Sequence, residues 1–214
     1  MALAAVPQKS HPTRMRAEGR RNQIVAVAAE LFASRGFSGT TTKEIAEGAG
    51  VSEAIIFRHF ASKDKLYTAI LDYKVKQGSQ RMKAQLEEAA SRKDDRAFFG
   101  SLAFEMLDFH SKDRTFMRLL LFSALEGHEL SDIFFDSTAR DIKNHIRKYI
   151  KQRSSDGAFR SIDPAVAARA FVGMVLHQVQ ARTIFKDDDV KLSNRQIADR
   201  FVEIFLNGVR DSEV

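Results

Sequence analysis

Residues 40–66 read TTTKEIAEGAGVSEAIIFRHFASKDKL. Thr41 precedes Glu44 by three positions, which is the spacing of a capping box at the start of a helix. Ser52 is a good N-cap for a second short helix, and Gly50 lies between the two helices where a tight turn is needed. Two short helices joined by a brief glycine-containing turn are typical of a helix-turn-helix, whose second helix can enter a major groove.

Helical periodicity extends outward from this motif in both directions. Upstream, one apolar helix face is formed by Ile24, Val27, Ala28, Leu31 and Phe32. That helix should end at Gly36. Downstream, the pattern predicts helices over 63–81, 82–91, 95–111, 115–126, 129–153, 164–185 and 194–209. Asp163 followed by Pro164, and Ser193, are helix starts, and Gly208 is a candidate C′ residue.

Because strand alternation is absent at length, we predict an all-α fold. An N-terminal three-helix helix-turn-helix domain would be joined by a shared helix to a larger C-terminal helical bundle. The predicted organisation is a flexible basic arm over 1–17, a helix-turn-helix DNA-binding domain over 18–63, and a helical domain over 64–214, to which the family resemblance given below assigns ligand binding and dimerisation. Residues 1–75 carry 11 Lys and Arg against seven Asp and Glu, so the basic excess is densest at the front.

Composition excludes several classes of protein. The 214 residues are 44% hydrophobic and 29% charged, which indicates a globular chain. Cysteine is absent, which excludes disulfide frameworks, zinc ribbons and thiol nucleophiles. Residues 1–6 are too short for a signal-peptide core. The longest nearly uncharged stretch, 170–181, has about 12 residues, whereas a spanning helix needs about 20. We expect a cytoplasmic, soluble protein without membrane contact.

Residues 40–66 closely resemble the DNA-binding segment of TetR-family transcriptional regulators, and the resemblance covers roughly residues 20–70. The upstream residues that fit the family pattern are Ala28, Leu31, Phe32, Gly36 and Phe37. With lower specificity, the region from Gly157 through Ala168 is similar to the family's dimerising region. The resemblance implies a homodimer that binds double-stranded DNA at a palindromic operator. It further implies a repressor that a small apolar or aromatic effector releases from DNA.

The resemblance assigns DNA contacts to Thr41, Thr42, Lys43, Ser52, Glu53, Ala54, Ile55, Phe57, Arg58, His59 and Lys63. Phe57 stands where the family usually has Tyr, so one backbone contact through a hydroxyl is in doubt. Glu53 repels phosphate, and we expect it to select a base such as cytosine. Solvated surface side chains would also explain Lys43 and Arg58, and a helix-ending core position would explain His59.

Lys63 follows the predicted N-cap Ser62 and therefore lies at the N-terminus of a helix, where a positive charge is unfavourable. A nearby phosphate would explain its charge. Two explanations fit the basic residues near the N-terminus. They belong either to an arm that follows the DNA backbone or enters a minor groove, or to a disordered tail without a role. These residues are Arg14, Arg16, Arg20 and Arg21.

Phenylalanine is unusually frequent, with 17 residues, of which eight lie between positions 98 and 135. So many bulky side chains in a helical bundle can line an adaptable apolar cavity. By resemblance, the cavity would hold the effector, and its candidate residues are Phe99, Leu102, Met106, Phe109, Met117, Leu120, Phe134, His145, Met174, His177 and Gln178. The alternative is a plain aromatic core in which the polar residues are satisfied within the bundle.

The family resemblance also predicts a dimer interface on the last two helices. Its candidate residues are Ala168, Phe171, Val175, Val179, Ile197, Phe201, Ile204 and Phe205. Two-fold pairing doubles the base contacts and sets the half-site spacing. The alternative is that these side chains form an intramolecular core.

Other functional classes find little support in the sequence. Gly48 to Gly50 imitates half of a dinucleotide fingerprint, but no strand precedes it and no third glycine follows. His128-Glu129 is not followed by a second histidine at metalloprotease spacing. We therefore predict no enzyme activity, no cofactor and no metal. The alternatives that stay open are a helical lipid- or drug-binding protein without DNA activity, and a regulator that activates transcription.

Overall fold

The computed structural model describes residues 17–76, 79–187 and 189–210. Its α-helices are α1 Ala17–Arg35, α2 Thr42–Gly48, α3 Glu53–His59, α4 Lys63–Lys76, α5 Ser79–Ser91, α6 Asp95–Lys112, α7 Thr115–Glu126, α8 Glu129–Asp136, α9 Thr138–Ser155, α10 Pro164–Gln180 and α11 Asn194–Val209. No strand occurs in these ranges apart from one isolated bridge between Phe159 and Arg210. The all-α prediction is confirmed.

Side-chain caps start the helices where the sequence predicts them. The backbone N–H of Glu44 donates to the Thr41 hydroxyl over 3.2 Å, and the Glu44 carboxylate accepts from the Thr41 N–H over 2.9 Å. Ser62, Asp163 and Ser193 likewise accept backbone N–H groups of the first turn, at 3.2, 2.8 and 3.3 Å. These caps satisfy donors that a helix start would otherwise leave unpaired.

Two predicted helices are interrupted. The helix predicted over 63–81 ends at Lys76, and the next one begins at Ser79. The helix predicted over 129–153 is divided at Ser137, whose backbone angles (φ −118°, ψ −93°) lie outside the helical region. Neither glycine nor proline accompanies the break at Ser137, so local sequence signals do not reveal it.

The C-terminal helices also differ from the prediction at their ends. The helix predicted over 164–185 changes at Ala181–Phe185 into a turn of π-helix. A left-handed residue, Lys186 with φ 56°, ends this π-helical turn. Gly208 is not a C′ residue, because it lies within α11, which continues to Val209.

Two hydrophobic cores hold the helices together. The front core comes from α1 to α4 with parts of α7 and α8, and the rear core from α5, α6, α9, α10 and α11. α7 supplies both: Phe116, Leu119 and Leu120 lie in the front core, and Met117 lies in the rear core. α7 therefore packs against both cores.

The front core extends past the predicted boundary at residue 63. Leu66 and Tyr67 of α4 are fully buried in it. The Tyr67 hydroxyl donates to the carbonyl oxygen of Leu119 over 3.3 Å. Burial raises the pKa of Tyr67 to about 12. The helix-turn-helix thus shares its core with helices of the C-terminal bundle. No helix in the described ranges is long and apolar enough to span a bilayer.

Candidate nucleic-acid interface

The turn between α2 and α3 is tight and anchored. Gly50 has φ +61°, in the left-handed region that glycine adopts without strain. The N–H of Val51 donates to the carbonyl of Ala46 over 3.0 Å, which closes the turn. The Gln23 side-chain amide donates to the carbonyl of Ala49 over 3.2 Å. Because Gln23 belongs to α1, this bond fixes the orientation of the turn relative to the first helix.

α3 is held by a single deeply buried side chain, Ile56. The exposed residues at its start and along it are Ser52, Glu53, Ala54, Phe57 and Arg58. Ser52 occupies the N-cap position but makes no side-chain cap hydrogen bond within the described residues. Phe57 is 50% exposed, which is high for a phenylalanine ring. The helix therefore presents a hydroxyl, a carboxylate, a methyl, an aromatic ring and a guanidinium outward.

A hydrogen bond between α2 and α3 sets the position of the acidic residue on this face. The Thr42 hydroxyl donates to the Glu53 carboxylate over 2.6 Å. Lys43 of α2 is exposed. The interface thus carries an exposed cation on each short helix, Lys43 on α2 and Arg58 on α3. It also carries the Glu53 carboxylate, whose position is set by Thr42.

Lys63 points into the junction between the domains rather than away from the protein. Its ammonium nitrogen lies 4.1 Å from the ring centroid of Phe37 and 6.0 Å from that of Phe32. Burial lowers the pKa of Lys63. The cation–π contact gives this lysine an intramolecular role that the sequence did not predict.

Ten of the eleven predicted DNA contacts lie on α2, α3 or their flanking turns, and Lys63 is the first residue of α4. Exposed are Thr41, Lys43, Ser52, Glu53, Ala54, Phe57 and Arg58, whereas Thr42, Ile55, His59 and Lys63 are partly buried. Arg21, which we had grouped with the basic arm, lies on α1 with its guanidinium 5.0 Å from the Phe60 ring at the end of α3. Arg14 and Arg16 lie outside the described residues.

The eleven predicted effector residues are divided between the two cores and the surface. The rear core contains Phe99, Leu102 and Met117, and Met106 and Met174 pack against it. The front core contains Leu120, and Phe109 and Phe134 pack against it. Of the two histidines, His145 is partly buried and His177 is exposed. The Nδ1 atom of His145 is 2.8 Å from the carbonyl oxygen of Asp141 on its own helix. The role of these eleven residues in effector binding stays a prediction.

Several of the aromatic rings of the rear core contact one another directly. Phe99 lies 4.8 Å from Phe171 and 4.8 Å from Phe205, measured between ring centroids. Phe98 stacks on Tyr149 at 3.9 Å. These rings fill the space between α6, α9, α10 and α11, so the phenylalanine surplus forms a packed core.

A different cavity lies beside the π-helical turn. Its volume is about 180 Å³, and its lining residues are Leu107, His110, Ser111, Arg114, Gln178, Val179, Arg182, Thr183 and Asn194. We call it the His110 cavity. Of the predicted effector residues, Gln178 borders it. In the described part of the chain, no three His, Asp or Glu side chains lie close enough together to hold a metal ion.

Six of the eight predicted dimer residues belong to the rear core of the single chain. Ala168, Phe171, Val175, Val179, Ile197 and Phe205 are all 0–6% exposed. The single chain thus encloses these six side chains in its own core, and their contact with a second chain stays a prediction. Phe201 is partly buried against the same core, and Ile204 is 62% exposed.

A second apolar face of α10 and α11 points outward. On α10 the exposed residues Val166, Ala170, Gly173 and His177 follow at helical spacing along one stripe. On α11 they are Ile204 and Gly208. We call this surface the α10–α11 face. α10 is apolar on two sides, so periodicity alone does not distinguish its inner from its outer side, whereas α11 carries the exposed polar residues Arg200 and Asn207 around Ile204.

The end of α7 contacts the DNA-binding side of the molecule directly. The Glu126 carboxylate accepts hydrogen bonds from the backbone N–H groups of Phe37 and Ser38, at 2.8 and 3.3 Å. Arg118, also on α7, donates to the carbonyl of Ala33 over 2.8 Å. The sequence had predicted α4 as the shared element, and α7 is a second connection.

Comparison with known proteins agrees with this architecture. The family model for bacterial regulatory proteins of the tetR family matches residues 24–70, and that for the AefR-like transcriptional repressor C-terminal domain matches residues 102–208. The HTH-type transcriptional regulator YvkB of Bacillus subtilis is 27% identical over 190 residues, covering 87% of this chain and 95% of YvkB.

Two further similarities concern one part of the chain and the fold. The HTH-type transcriptional activator FasR of Mycolicibacterium smegmatis is 41% identical over 58 residues, which are 27% of this chain and 26% of FasR. The crystal structure of AibR in complex with isovaleryl coenzyme A and operator DNA has a TM-score of 0.65 at 24% identity, covering 86% of this chain and 97% of AibR. With two family models that together span most of the described helices, this chain belongs to the TetR family of bacterial transcriptional regulators.

Proposed function

We propose that this regulator binds a palindromic operator as a homodimer, represses transcription there, and leaves the DNA when a small-molecule effector binds its C-terminal bundle. The proposal depends most on the exposed start of α3. This helix is anchored to the front core by one buried residue, Ile56. A short helix exposed at its N-terminus suits insertion into a major groove.

The side chains of the interface divide into two kinds of DNA contact. Lys43 and Arg58 are exposed cations suited to phosphate oxygens, or in the case of Arg58 to guanine. Ala54 and Phe57 offer apolar contact for a thymine methyl group. Glu53, oriented by Thr42, suits the exocyclic amino group of cytosine. Phosphate contacts would provide affinity, and the other three residues would provide sequence preference.

Dimerisation is proposed through the α10–α11 face. Val166 and Ile204 are 64% and 62% exposed, an unfavourable state for large apolar side chains in water. Ala170, Gly173 and Gly208 are small, so two copies of the helices can approach closely. A two-fold axis through this face pairs each helix with its symmetry mate. The two α3 helices would then engage half-sites about 34–36 Å apart.

The proposed signal passes along α7 from the effector region to the DNA-binding domain. Arg114, which precedes α7, lines the His110 cavity, and Glu126 at its other end binds the backbone at Phe37 and Ser38. The 12 residues of α7 span about 18 Å. A ligand that binds one position of α7 more tightly would shift the population of the DNA-binding state.

A relative of the same fold supports the combination of partners. AibR was crystallised with isovaleryl coenzyme A and operator DNA together. The C-terminal match to the AefR-like transcriptional repressor domain supports repression as the outcome.

Selection of bound duplexes from a random pool tests the DNA-binding proposal. We expect an enriched motif with two-fold symmetry, bound with an affinity that falls steeply with salt. Placed upstream of a reporter gene, the motif should give lower expression when the protein is present. Failure to enrich any duplex would favour a helical ligand-binding protein, and higher expression would indicate an activator.

A further inference from the structure

One helix of the C-terminal bundle carries a strong excess of positive charge. α9 has six Lys and Arg residues against one acid, Asp141, which lies in its first turn. The six are Arg140, Lys143, Arg147, Lys148, Lys151 and Arg153. The helix dipole favours a cation in the last turn of a helix, but only Arg153 lies there. The other five cations therefore need another explanation.

Ion pairs within the chain engage two of the six cations. Arg140 lies 2.6 Å from a carboxylate oxygen of Asp136, and Arg153 lies 2.8 Å from one of Asp95. In the described part of the chain, four cations have no ion-pair partner: Lys143, Arg147, Lys148 and Lys151. The Nε atom of Arg147 also lacks a hydrogen-bond partner among the described residues. The fold thus leaves most of the positive charge of α9 uncompensated.

These cations form one stripe along the helix, which we call the α9 stripe. Its members are Arg140, Lys143, Arg147, Lys148 and Lys151. At 3.6 residues per turn and 1.5 Å per residue, they lie within an arc of about 140° and span about 17 Å. Arg140, Lys148 and Lys151 are exposed, and the other two are partly buried. Ile146 and Ile150 lie outside this arc, in the rear core.

A groove of about 510 Å³ lies at the C-terminal end of the α9 stripe. Its lining residues are Lys151, Ser154, Ser155, Ser161, Ile162 and Pro164. Ser154 and Ser155 fall within the same arc of the helix as the cations. The lining offers an ammonium group and three hydroxyl groups, and none of its described residues is acidic. Lysine and serine side chains commonly contact phosphate oxygens of nucleic acids.

The chemistry of the α9 stripe distinguishes between classes of partner. No large hydrophobic side chain of α9 is highly exposed, so this helix lacks the apolar face with which an amphipathic helix enters a bilayer. Protein interfaces are depleted of lysine and enriched in aromatic residues, whereas the stripe has three lysines and no aromatic residue. A row of separated cations followed by hydroxyl groups suits a chain of phosphates.

We propose that the α9 stripe binds the phosphate backbone of double-stranded DNA without sequence preference, and that the groove receives one of the phosphates. The chain belongs to a family of DNA-binding regulators, so duplex DNA is a polyanion that it meets. α9 packs in the rear core and α2 and α3 pack in the front core, so the stripe is separate from the helix-turn-helix. A protein bound to its operator through α3 would hold a second DNA segment on the stripe. That consequence rests on the proposed function, whereas the affinity of the stripe for DNA does not.

A variant without the exposed cations of the helix-turn-helix isolates the contribution of the stripe. In full-length Lys43→Gln/Arg58→Gln protein, binding of a labelled mixed-sequence duplex is measured by fluorescence anisotropy over a range of salt concentrations. We expect binding to persist at low salt and to weaken as salt increases, because the stripe still displaces counterions from phosphates.

Two further pairs of substitutions in this background test where the duplex binds. Lys148→Gln/Lys151→Gln should weaken binding at least about tenfold and lower the slope of log affinity against log salt by about two. Lys83→Gln/Lys191→Gln is the matched control and should change neither quantity. Lys83 on α5 and Lys191 before α11 are exposed, so each pair removes two surface charges. Equal melting temperatures of the two proteins would show that both are folded.

Three results would overturn the inference. The first is loss of all duplex binding in the Lys43→Gln/Arg58→Gln protein. The second is equal binding by the Lys148→Gln/Lys151→Gln protein and its control. The third is complete displacement of the duplex by inorganic tripolyphosphate at the same phosphate concentration, which would indicate a site for a compact anion.

Failure of this inference is distinguishable from failure of the proposed function. If duplex selection enriches a symmetric motif and Lys148→Gln/Lys151→Gln binds mixed-sequence DNA like its control, the stripe assignment is wrong and the regulator stands. If mixed-sequence binding depends on Lys148 and Lys151 but selection enriches no motif, the stripe stands and the proposed function is wrong.

Discussion

Neighbouring side chains decide which residues of the helix-turn-helix are available to DNA. Glu53 is oriented by Thr42, and Lys63 is turned onto the ring of Phe37. Arg58 and Lys43 remain exposed. The exposed pair is thus better suited to phosphate contact than Lys63, whose location at a helix start had suggested that role.

Substitution of Arg58 tests this assignment. We expect Arg58→Gln to weaken binding to all duplexes and, if it contacts one phosphate, to reduce the slope of log affinity against log salt by about one. Arg160→Gln, an exposed arginine in the C-terminal bundle, should leave both unchanged. Fluorescence anisotropy over a range of salt concentrations measures the two quantities, and an unaltered slope with unaltered affinity would exclude Arg58 as a contact.

His110 predicts a specific dependence of stability on pH. Its folded pKa is about 4, below the ordinary value of 6.5, so the unfolded state binds the proton more tightly. Stability should therefore be intact above pH 6.5 and fall as pH decreases towards 4, by an amount on the order of 3 kcal/mol from this residue. Urea unfolding of wild type and His110→Leu should diverge across this window. Parallel curves would contradict the burial of a neutral imidazole.

Residue roles could be predicted where they depend on short sequence spacing. Thr41 and Glu44 form their capping box as predicted. The role of Arg114 could not be predicted, because the His110 cavity combines residues separated by up to about 90 positions. No periodic pattern links Arg114 to Asn194 before the fold brings them together.

At the scale of helices, starts were easier to predict than ends and interruptions. Asp163 caps α10 and Ser193 caps α11, as local chemistry requires. Neither the break at Ser137 nor the π-helical turn at Ala181–Phe185 is marked by a glycine or proline at that place. The π-helical turn borders the His110 cavity. Local sequence signals therefore revealed neither the cavity nor the irregular backbone beside it.

Gly50, in the turn between α2 and α3, and Gly100, within α6, should respond in opposite ways to substitution by alanine. Gly50→Ala should destabilise the fold by about 1 kcal/mol, because φ +61° is unfavourable for a residue with a Cβ atom. Gly100→Ala should stabilise it by about 0.5–1 kcal/mol, since Gly100 lies within α6. No described heavy atom outside its own helix lies within 4 Å of the added Cβ. Chemical denaturation measures both, and a neutral Gly50→Ala would exclude the left-handed turn.

At the scale of the whole molecule, α10 and α11 have an inner face in the rear core and an outer face that we propose as the dimer interface. The larger side chains, including Phe171 and Phe205, form the rear core, and the outer face keeps Val166 and Ile204 with small residues between them. The helices that carry the proposed interface are those the sequence predicts, and six of the eight residues predicted for it are buried in the rear core. Two apolar sides on one helix are indistinguishable by period until the partner helices are known.

A charge placed on the outer face should prevent dimerisation. Ile204→Glu would put carboxylates near the two-fold axis, so we expect monomers in analytical ultracentrifugation at concentrations where the wild type is a dimer. Leu125→Glu, at an 85% exposed leucine of α7, should remain dimeric. A dimeric Ile204→Glu protein, or a monomeric Leu125→Glu protein, would locate the interface elsewhere.

The most direct test of DNA reading by α3 is a repeated duplex selection with Glu53→Gln, beside Glu47→Gln on α2 as the matched control. Both glutamates are exposed, so each substitution removes one surface charge. We expect Glu53→Gln to change the preferred base at one equivalent position in both half-sites, and Glu47→Gln to select the wild-type motif. If Glu53→Gln selects the wild-type motif with unchanged preference, the exposed start of α3 does not read the operator through this residue, and the central claim is contradicted.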